Sequence, residues 1–223
     1  MLLWELSVKL IVNENQMVDE EDIKHKYKKN GTALFDLKGS FFSEDDLQKL
    51  EELSKKLPYE FIETGDAGEP NSVEVGRFMT DVEEPKIVNE SISRKAVSIL
   101  NKKEYVNFYE RIIGKDKLFI RRAQVNKMRK NQFVGYHLDI DSNPDYLAAV
   151  VIQFASDFTG GDYVVYKNGE NKEKKNIRYA PKCQTMIISN CEYPHEVSRV
   201  ESGTRISLVF FLCSHYGKNK RVS

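Results

Sequence analysis

Apolar and polar residues alternate over residues 2–12: Leu2, Trp4, Leu6, Val8, Leu10 and Val12 share one side, with Glu5, Ser7 and Lys9 on the other. A period of two over this length predicts a half-buried strand. Asp19 to Lys29 is polar and weakly helical, and Asn30-Gly31 signals its stop. Thr32-Ala33-Leu34-Phe35-Asp36-Leu37 reads as a short strand. Ser43, with Asp46 three residues on, makes a capping-box start for a helix. Leu47, Leu50, Leu53 and Leu57 form its apolar stripe, and Pro58 stops it. Residues 63–76 are rich in turn formers and predict a loop, which at this length is often functional. One further helix is expected from Ser91 to Ile113, ending at Gly114.

After Gly114 the pattern changes to short runs rich in β-branched and aromatic residues. They cover Leu118–Met128, Tyr146–Ala155, Asp162–Lys167, Asn176–Ala180, Thr185–Ser189, Glu196–Val200 and Arg205–Cys213. Ser142-Asn143-Pro144, Gly160-Gly161, Asn168-Gly169 and Ser202-Gly203 punctuate them. Strands at such short intervals imply a sandwich or barrel. The charged Lys167–Lys175 stretch reads as a solvated hairpin tip. The expected organisation is an N-terminal strand and helical layer over 1–115, a β core over 116–216 and a tail over 217–223, forming one structural unit.

Composition narrows the function classes. The 223 residues are 40% hydrophobic and 30% charged, with Lys+Arg and Asp+Glu both at 34. This describes an ordinary globular chain with no global field to gather nucleic acid or an acidic membrane. The cysteines, Cys183, Cys191 and Cys213, are odd in number and lack C-x-x-C spacing, so a reducing compartment is the simpler reading. Glu5 and Lys9 interrupt the N-terminal apolar stretch, no basic region precedes it, and no later run is long enough to span a bilayer. The expected location is the cytoplasm.

The chemistry centres on Gly135-Tyr136-His137-Leu138-Asp139-Ile140-Asp141. In an extended chain, side chains two apart point to the same side, so His137 and Asp139 can reach one point. An imidazole and a carboxylate meeting there suit a borderline metal such as iron, given a third ligand. His25 and His215 read as surface residues, whereas His195 directly follows Pro194 and opens a strand. His137, Asp139 and His195 would complete the two-histidine, one-carboxylate facial triad of non-haem Fe(II) oxygenases. A guanidinium can grip a carboxylate through two parallel hydrogen bonds, and Arg205 lies ten residues after His195.

With these residues in order, the region from about Gln124 to Leu212 resembles the Fe(II)/2-oxoglutarate-dependent dioxygenases, most closely their prolyl-4-hydroxylase-like branch. The resemblance rests on His137-x-Asp139, Phe158-Thr159-Gly160-Gly161-Asp162, and His195-x-Val197-x-x-Val200-x-x-Gly203-x-Arg205-x-Ser207. It implies a double-stranded β-helix, or jelly roll, with the metal at one open end between two sheets. It also implies Fe(II), 2-oxoglutarate and O2 as cofactor and cosubstrates, with ascorbate as a stimulant. His137, Asp139 and His195 would hold the metal, and Arg205, with Ser207 beside it, the far carboxylate of 2-oxoglutarate. Where the branch usually has a tyrosine helping to hold 2-oxoglutarate, Met128 stands; Tyr163 is the candidate replacement for its hydroxyl. Asn131 and Val134 also depart from the branch, which often has glycine and tyrosine there.

The implied activity is hydroxylation of an unactivated C–H in an amino-acid-like substrate, peptidyl or free, with release of succinate and CO2. The alternatives are a non-catalytic jelly-roll scaffold and an oxidative nucleic-acid demethylase; the neutral net charge offers the latter no support, and neither nucleic acid nor membrane is an expected partner. Among other residues, Asp139, Asp141 and Asp145 form an acidic cluster open to a substrate or a loop role. Gln124, Asn126 and Met128 share a face and suit either pocket lining or a polar core network. Arg121 and Arg122 point opposite ways, so at most one faces the site. Arg77, next to the glycine-rich loop, could contact an anionic substrate group but reads more simply as a surface residue, Gly160-Gly161 as a tight turn, and Cys191 as a core thiol.

Overall fold

The computed structural model describes residues 19–38, 42–167, 176–180 and 182–221. The strand expected over 2–12 and most of the charged stretch after Lys167 lie outside the described residues. In chain order the elements begin with α1 (Glu20–Asn30), β1 (Thr32–Asp36), α2 (Glu44–Lys55), β2 (Tyr59–Thr64), β3 (Pro70–Asp81) and β4 (Pro85–Ile87). Then come α3 (Glu90–Leu100), α4 (Lys103–Ile113), β5 (Phe119–Arg129), β6 (Phe133–His137), a short 3-10 turn (Asp139–Asp141) and β7 (Ala148–Gln153). The chain finishes with β8 (Phe158–Gly160), β9 (Tyr163–Tyr166), β10 (Asn176–Tyr179), β11 (Thr185–Asn190), β12 (His195–Val197) and β13 (Val200–Cys213).

The local signals act as their chemistry requires. Asp19 caps α1 by accepting from the amides of Glu21 and Asp22, and Gly31 ends it in the left-handed region with φ of 71°. Ser43 caps α2, its Oγ accepting from the Asp46 amide at 3.1 Å. The single helix expected over Ser91–Ile113 is two, because Lys102 is extended (φ −57°, ψ 136°) between α3 and α4. The loop expected over residues 63–76 is mostly strand: β2 and β3 form a hairpin, and only the turn at its tip is irregular.

All the strands pair antiparallel in one sheet folded over on itself. Its larger part runs β1-β11-β7-β13-β5-β3, with β2 and β4 added on β3, and its smaller part runs β3-β6-β12-β9-β10. β3 joins the two parts: Glu74 to Met79 pair with β5, and Asn71 and Ser72 with β6. This is the jelly roll that the resemblance implies. Strands from the first 115 residues are integral to it, since β1 and β3 pair with β11, β5 and β6.

Alternation along the larger sheet sorts side chains between two cores. Ala148, Val150 and Ile152 of β7 and Leu208, Phe210 and Leu212 of β13 pack with the helices, which bury Tyr105, Phe108, Tyr109 and Ile112 against them. Each such large side chain stabilises the fold by about 1.5–3 kcal/mol. Val151 of β7, Met128 of β5 and Val73 and Val75 of β3 instead face the smaller sheet. The helices therefore hold the larger sheet from outside, and its inner face is left to build a pocket.

Candidate active site

β6 ends at His137 and β12 begins at His195, and the two are direct register partners. Their rings lie 4.3 Å apart between centroids. Asp139 opens the 3-10 turn rather than continuing the strand, but Leu138 is still extended (φ −112°, ψ 130°), so the expected same-side geometry holds. His137 Nε2 is 3.4 Å from Asp139 Oδ1, and His195 Nε2 is 3.6 Å from Oδ2. One ligating atom from each residue falls within 4.8 Å of the others.

The other ring nitrogens are already in use. Nδ1 of His137 lies 2.8 Å from the Gly135 carbonyl oxygen, and Nδ1 of His195 lies 3.1 Å from that of Tyr193. A backbone carbonyl can only accept, so each Nδ1 carries a hydrogen, and in the neutral ring Nε2 presents a lone pair inward. Asp139 is buried, and its Oδ2 has no hydrogen-bond partner. Burial would raise the Asp139 carboxyl, but His195 and His137 hold it below its usual range. Burial would likewise lower His137, yet its hydrogen bond to Asp139 and that residue's charge raise it to about 9. His195, fully enclosed beside His137, is lowered by burial. An orphaned carboxylate oxygen beside two imidazole Nε2 atoms, both lone-pair donors once His137 gives up its proton, is a donor set suited to Fe(II).

The triad opens on a cavity of about 130 Å³ between the sheets. Its walls include Val73, Val75, Val134, Val151, Val197 and Val209. Arg205, from β13 on the larger sheet, also lines it and is 1% exposed. Arg205 Nη1 donates to Ser207 Oγ at 2.9 Å, while Nε and Nη2 have no partner. Burial pushes the guanidinium down to about 10. Gly161 makes room for it: a Cβ there would stand 2.8 Å from Arg205 Cδ, and its φ of +67° favours glycine. Met128 is the register partner of Arg205 on β5 and is fully buried. Tyr163 also lines the cavity; its ring is 5.2 Å from that of His195, and its buried hydroxyl has no partner.

Other residues fall less as the sequence suggests. Asp141 is not among the cavity residues, and Asp145 pairs with Lys220 at 2.5 Å. Arg77 lines the cavity mouth rather than the outer surface, as do Arg122, Gln124 and Asn126. Of the adjacent pair, Arg122 faces the site and Arg121 is buried behind it. Arg121 makes two hydrogen bonds to Asp81, at 2.9 and 2.7 Å. Asn143, just after the Asp139 turn, donates to Asp81 at 2.7 Å, and Asn219 donates to the carbonyl oxygens of Asp81 and Ser142. The turn that carries Asp139 is thus tied to β3, β5 and the C-terminal segment. Cys191 is a buried free thiol, raised by burial and by the nearby Asp139 charge. His25 and His215 are exposed.

Fold and site together define a non-haem iron oxygenase: a jelly roll with a facial triad at one end of its cavity and a buried basic residue across it. Residues 123–213 match the model of the 2OG-Fe(II) oxygenase superfamily. An oxidoreductase of the 2OG-Fe(II) oxygenase family from Burkholderia pseudomallei is 34% identical, with a TM-score of 0.81 over 94% of this chain and 96% of that one. The same fold occurs in a prolyl hydroxylase from Trichoplax adhaerens, solved with a hypoxia inducible factor peptide fragment (14% identity, TM-score 0.62, 87% of this chain and 89% of that one). It occurs again in a Pseudomonas putida prolyl-4-hydroxylase (12%, 0.58, 87% and 98%). No curated protein matches the chain. The chain belongs to the 2OG-Fe(II) oxygenase superfamily, whose chemistry uses Fe(II), 2-oxoglutarate and O2.

Proposed function

We propose that this oxygenase hydroxylates an unactivated C–H bond of an amino-acid-like substrate, peptidyl or free, releasing succinate and CO2. The observation that carries the cosubstrate assignment is Arg205, a cation buried in the same cavity as the triad, with two N–H-bearing nitrogens unpaired. A buried guanidinium without a carboxylate beside it costs several kcal/mol, and a dianionic ligand removes that cost. In this reading Arg205 and Ser207 take the far carboxylate of 2-oxoglutarate. Tyr163 supplies the hydroxyl that Met128 cannot. His137, Asp139 and His195 hold the iron through Nε2, a carboxylate oxygen and Nε2.

When bound, iron with 2-oxoglutarate and dioxygen supplies the oxidising power that places one oxygen atom in a C–H bond as the cosubstrate becomes succinate. The chain's own residues orient and shelter that chemistry. The carbonyls of Gly135 and Tyr193 fix the two imidazoles. The valine walls keep water from the reacting centre. The amino-acid-like acceptor is supported by the two prolyl hydroxylases above at the level of fold analogy. No described helix is long and apolar enough to cross a membrane, and all three cysteines are free.

The test is succinate release from 2-oxoglutarate in the presence of Fe(II), O2 and ascorbate, with free and peptidyl amino acids as acceptors. Turnover should vanish in His137→Ala and Asp139→Ala while the fold persists. A wild-type protein that neither binds iron nor consumes 2-oxoglutarate with any acceptor would overturn the proposal.

A further inference from the structure

A second lobe of about 340 Å³ adjoins the cavity, and the two share Asp66, Arg77, Arg122 and Ser142. Three guanidiniums reach this lobe: Arg77 from β3, Arg122 from β5 and Arg221 from the C-terminal segment. Arg77 lies opposite Gln124, one alternation along from Arg122. Their side chains are only 24% and 15% exposed. Burial lowers Arg77, and the charge of Arg122 lowers it further. Cations gathered in a partly desolvated opening repel one another and lose hydration, so the arrangement is unfavourable unless an anion sits among them.

In this structure part of that negative charge comes from the chain itself. Arg77 pairs outward with Glu60. Arg122 pairs with the Asp66 carboxylate, and Arg221 donates to the Asp66 carbonyl oxygen. Asp66 sits on the turn at the tip of the β2–β3 hairpin, with its side chain 51% exposed. Nearby Gly68 has φ of +82° and no atom within 4 Å of where its Cβ would stand, so this side of the tip faces open space. Arg122 itself is well fixed: its Nε donates to Gln124 Oε1 at 2.8 Å, and its guanidinium lies 5.8 Å from the Phe211 ring centroid. A fixed inward arginine covered by a carboxylate whose own side chain is half exposed to solvent is arranged for exchange with an external anion.

We propose that Arg122, with Arg77 and Arg221, binds a carboxylate or phosphate group of the substrate to be oxidised, and that Asp66 occupies this position in its absence. The proposal rests on the oxygenase reading above, in which Arg205 is taken by the cosubstrate. It narrows the acceptor to one bearing an acidic group near the oxidised carbon.

The test is calorimetric titration of the protein, saturated with Mn(II) and 2-oxoglutarate, with inorganic phosphate and separately with benzoate. At least one should bind the wild type, and the tighter of the two identifies the acid. Arg122→Met should weaken that binding about tenfold or more, as loss of a charge-assisted contact does. Asp66→Asn should strengthen it several-fold by removing the competing carboxylate. The proposal is overturned if neither anion binds, if Arg122→Met binds equally well, or if Asp66→Asn brings no gain. Should Arg122→Met fail to fold, Asp66→Asn on the exposed tip still decides. Failure of 2-oxoglutarate itself to bind the Mn(II)-loaded wild type would sink the cosubstrate reading and this one together, whereas loss of anion binding alone sinks only this one.

Discussion

Replacing Arg205 by methionine should make the ligand-free protein more stable and leave it unable to hold 2-oxoglutarate. The guanidinium is buried without a carboxylate beside it, and burial depresses it to about 10. A depression of that size corresponds to a folding cost on the order of 3 kcal/mol. The sign is fixed: a cation whose folded value lies below its unfolded one destabilises the fold at every pH below about 10, and the cost fades only as pH rises above that. Methionine fills a similar length without charge, but it loses the bond to Ser207, worth about 1 kcal/mol. The net gain is about 2 kcal/mol. In a chain of 223 residues this raises Tm on the order of 5 °C. Differential scanning fluorimetry reads both halves of the prediction. Wild type with Mn(II) should gain about 2.7 kcal/mol from 2-oxoglutarate at about a hundred times its Kd, and the variant should gain none. A less stable variant, or one that keeps the 2-oxoglutarate-dependent shift, would refute the assignment of Arg205.

Three further outcomes follow from the same geometry. Because Asp139 raises His137 to about 9 in the metal-free protein, divalent metal must displace its proton; apparent Mn(II) affinity should climb about tenfold per pH unit and level off near pH 9, and a flat profile would remove His137 from the site. Asp81→Ala leaves the buried Arg121 unpaired and frees the Asn143 tether; urea denaturation should show a loss of about 3–5 kcal/mol, and metal titration a weaker site. Tyr163→Phe deletes a hydroxyl that has no partner in the ligand-free fold, so Tm should hold steady while the 2-oxoglutarate Kd rises about tenfold; an unchanged Kd in calorimetry would exclude the hydroxyl from the cosubstrate contact.

The metal end of the site was legible because its signals are local. His137 and Asp139 are two residues apart on extended backbone, and Arg205 and Ser207 are two apart on one strand. Such pairs keep a common side whatever the surrounding fold. The mouth was not legible, because its residues converge through pairing across long separations. Period two showed that Arg121 and Arg122 diverge, but which one points inward depends on Asp81, forty residues earlier. Arg77 read as exposed because β3 lay hidden in a stretch dominated by Gly65, Gly68, Glu69 and Pro70. Those residues make a tight hairpin tip, not a long loop. The break between α3 and α4 carries no sequence signal, since Asn101-Lys102 holds neither glycine nor proline.

The two ends of the cavity stand on different parts of the folded sheet. Both histidines belong to β6 and β12 of the smaller part, and Arg205 belongs to β13 of the larger. The span between triad and guanidinium is therefore set by how far apart the two parts of the sheet pack, a separation shared by the whole set of side chains between them, from Val73 and Val75 to Val151 and Val197. In the reading proposed above, a dicarboxylate held at the triad and at Arg205 is gauged like a rung between two rails. Diacids one carbon shorter or longer should be refused by the architecture as a whole, and no single substitution in the pocket should retune that length.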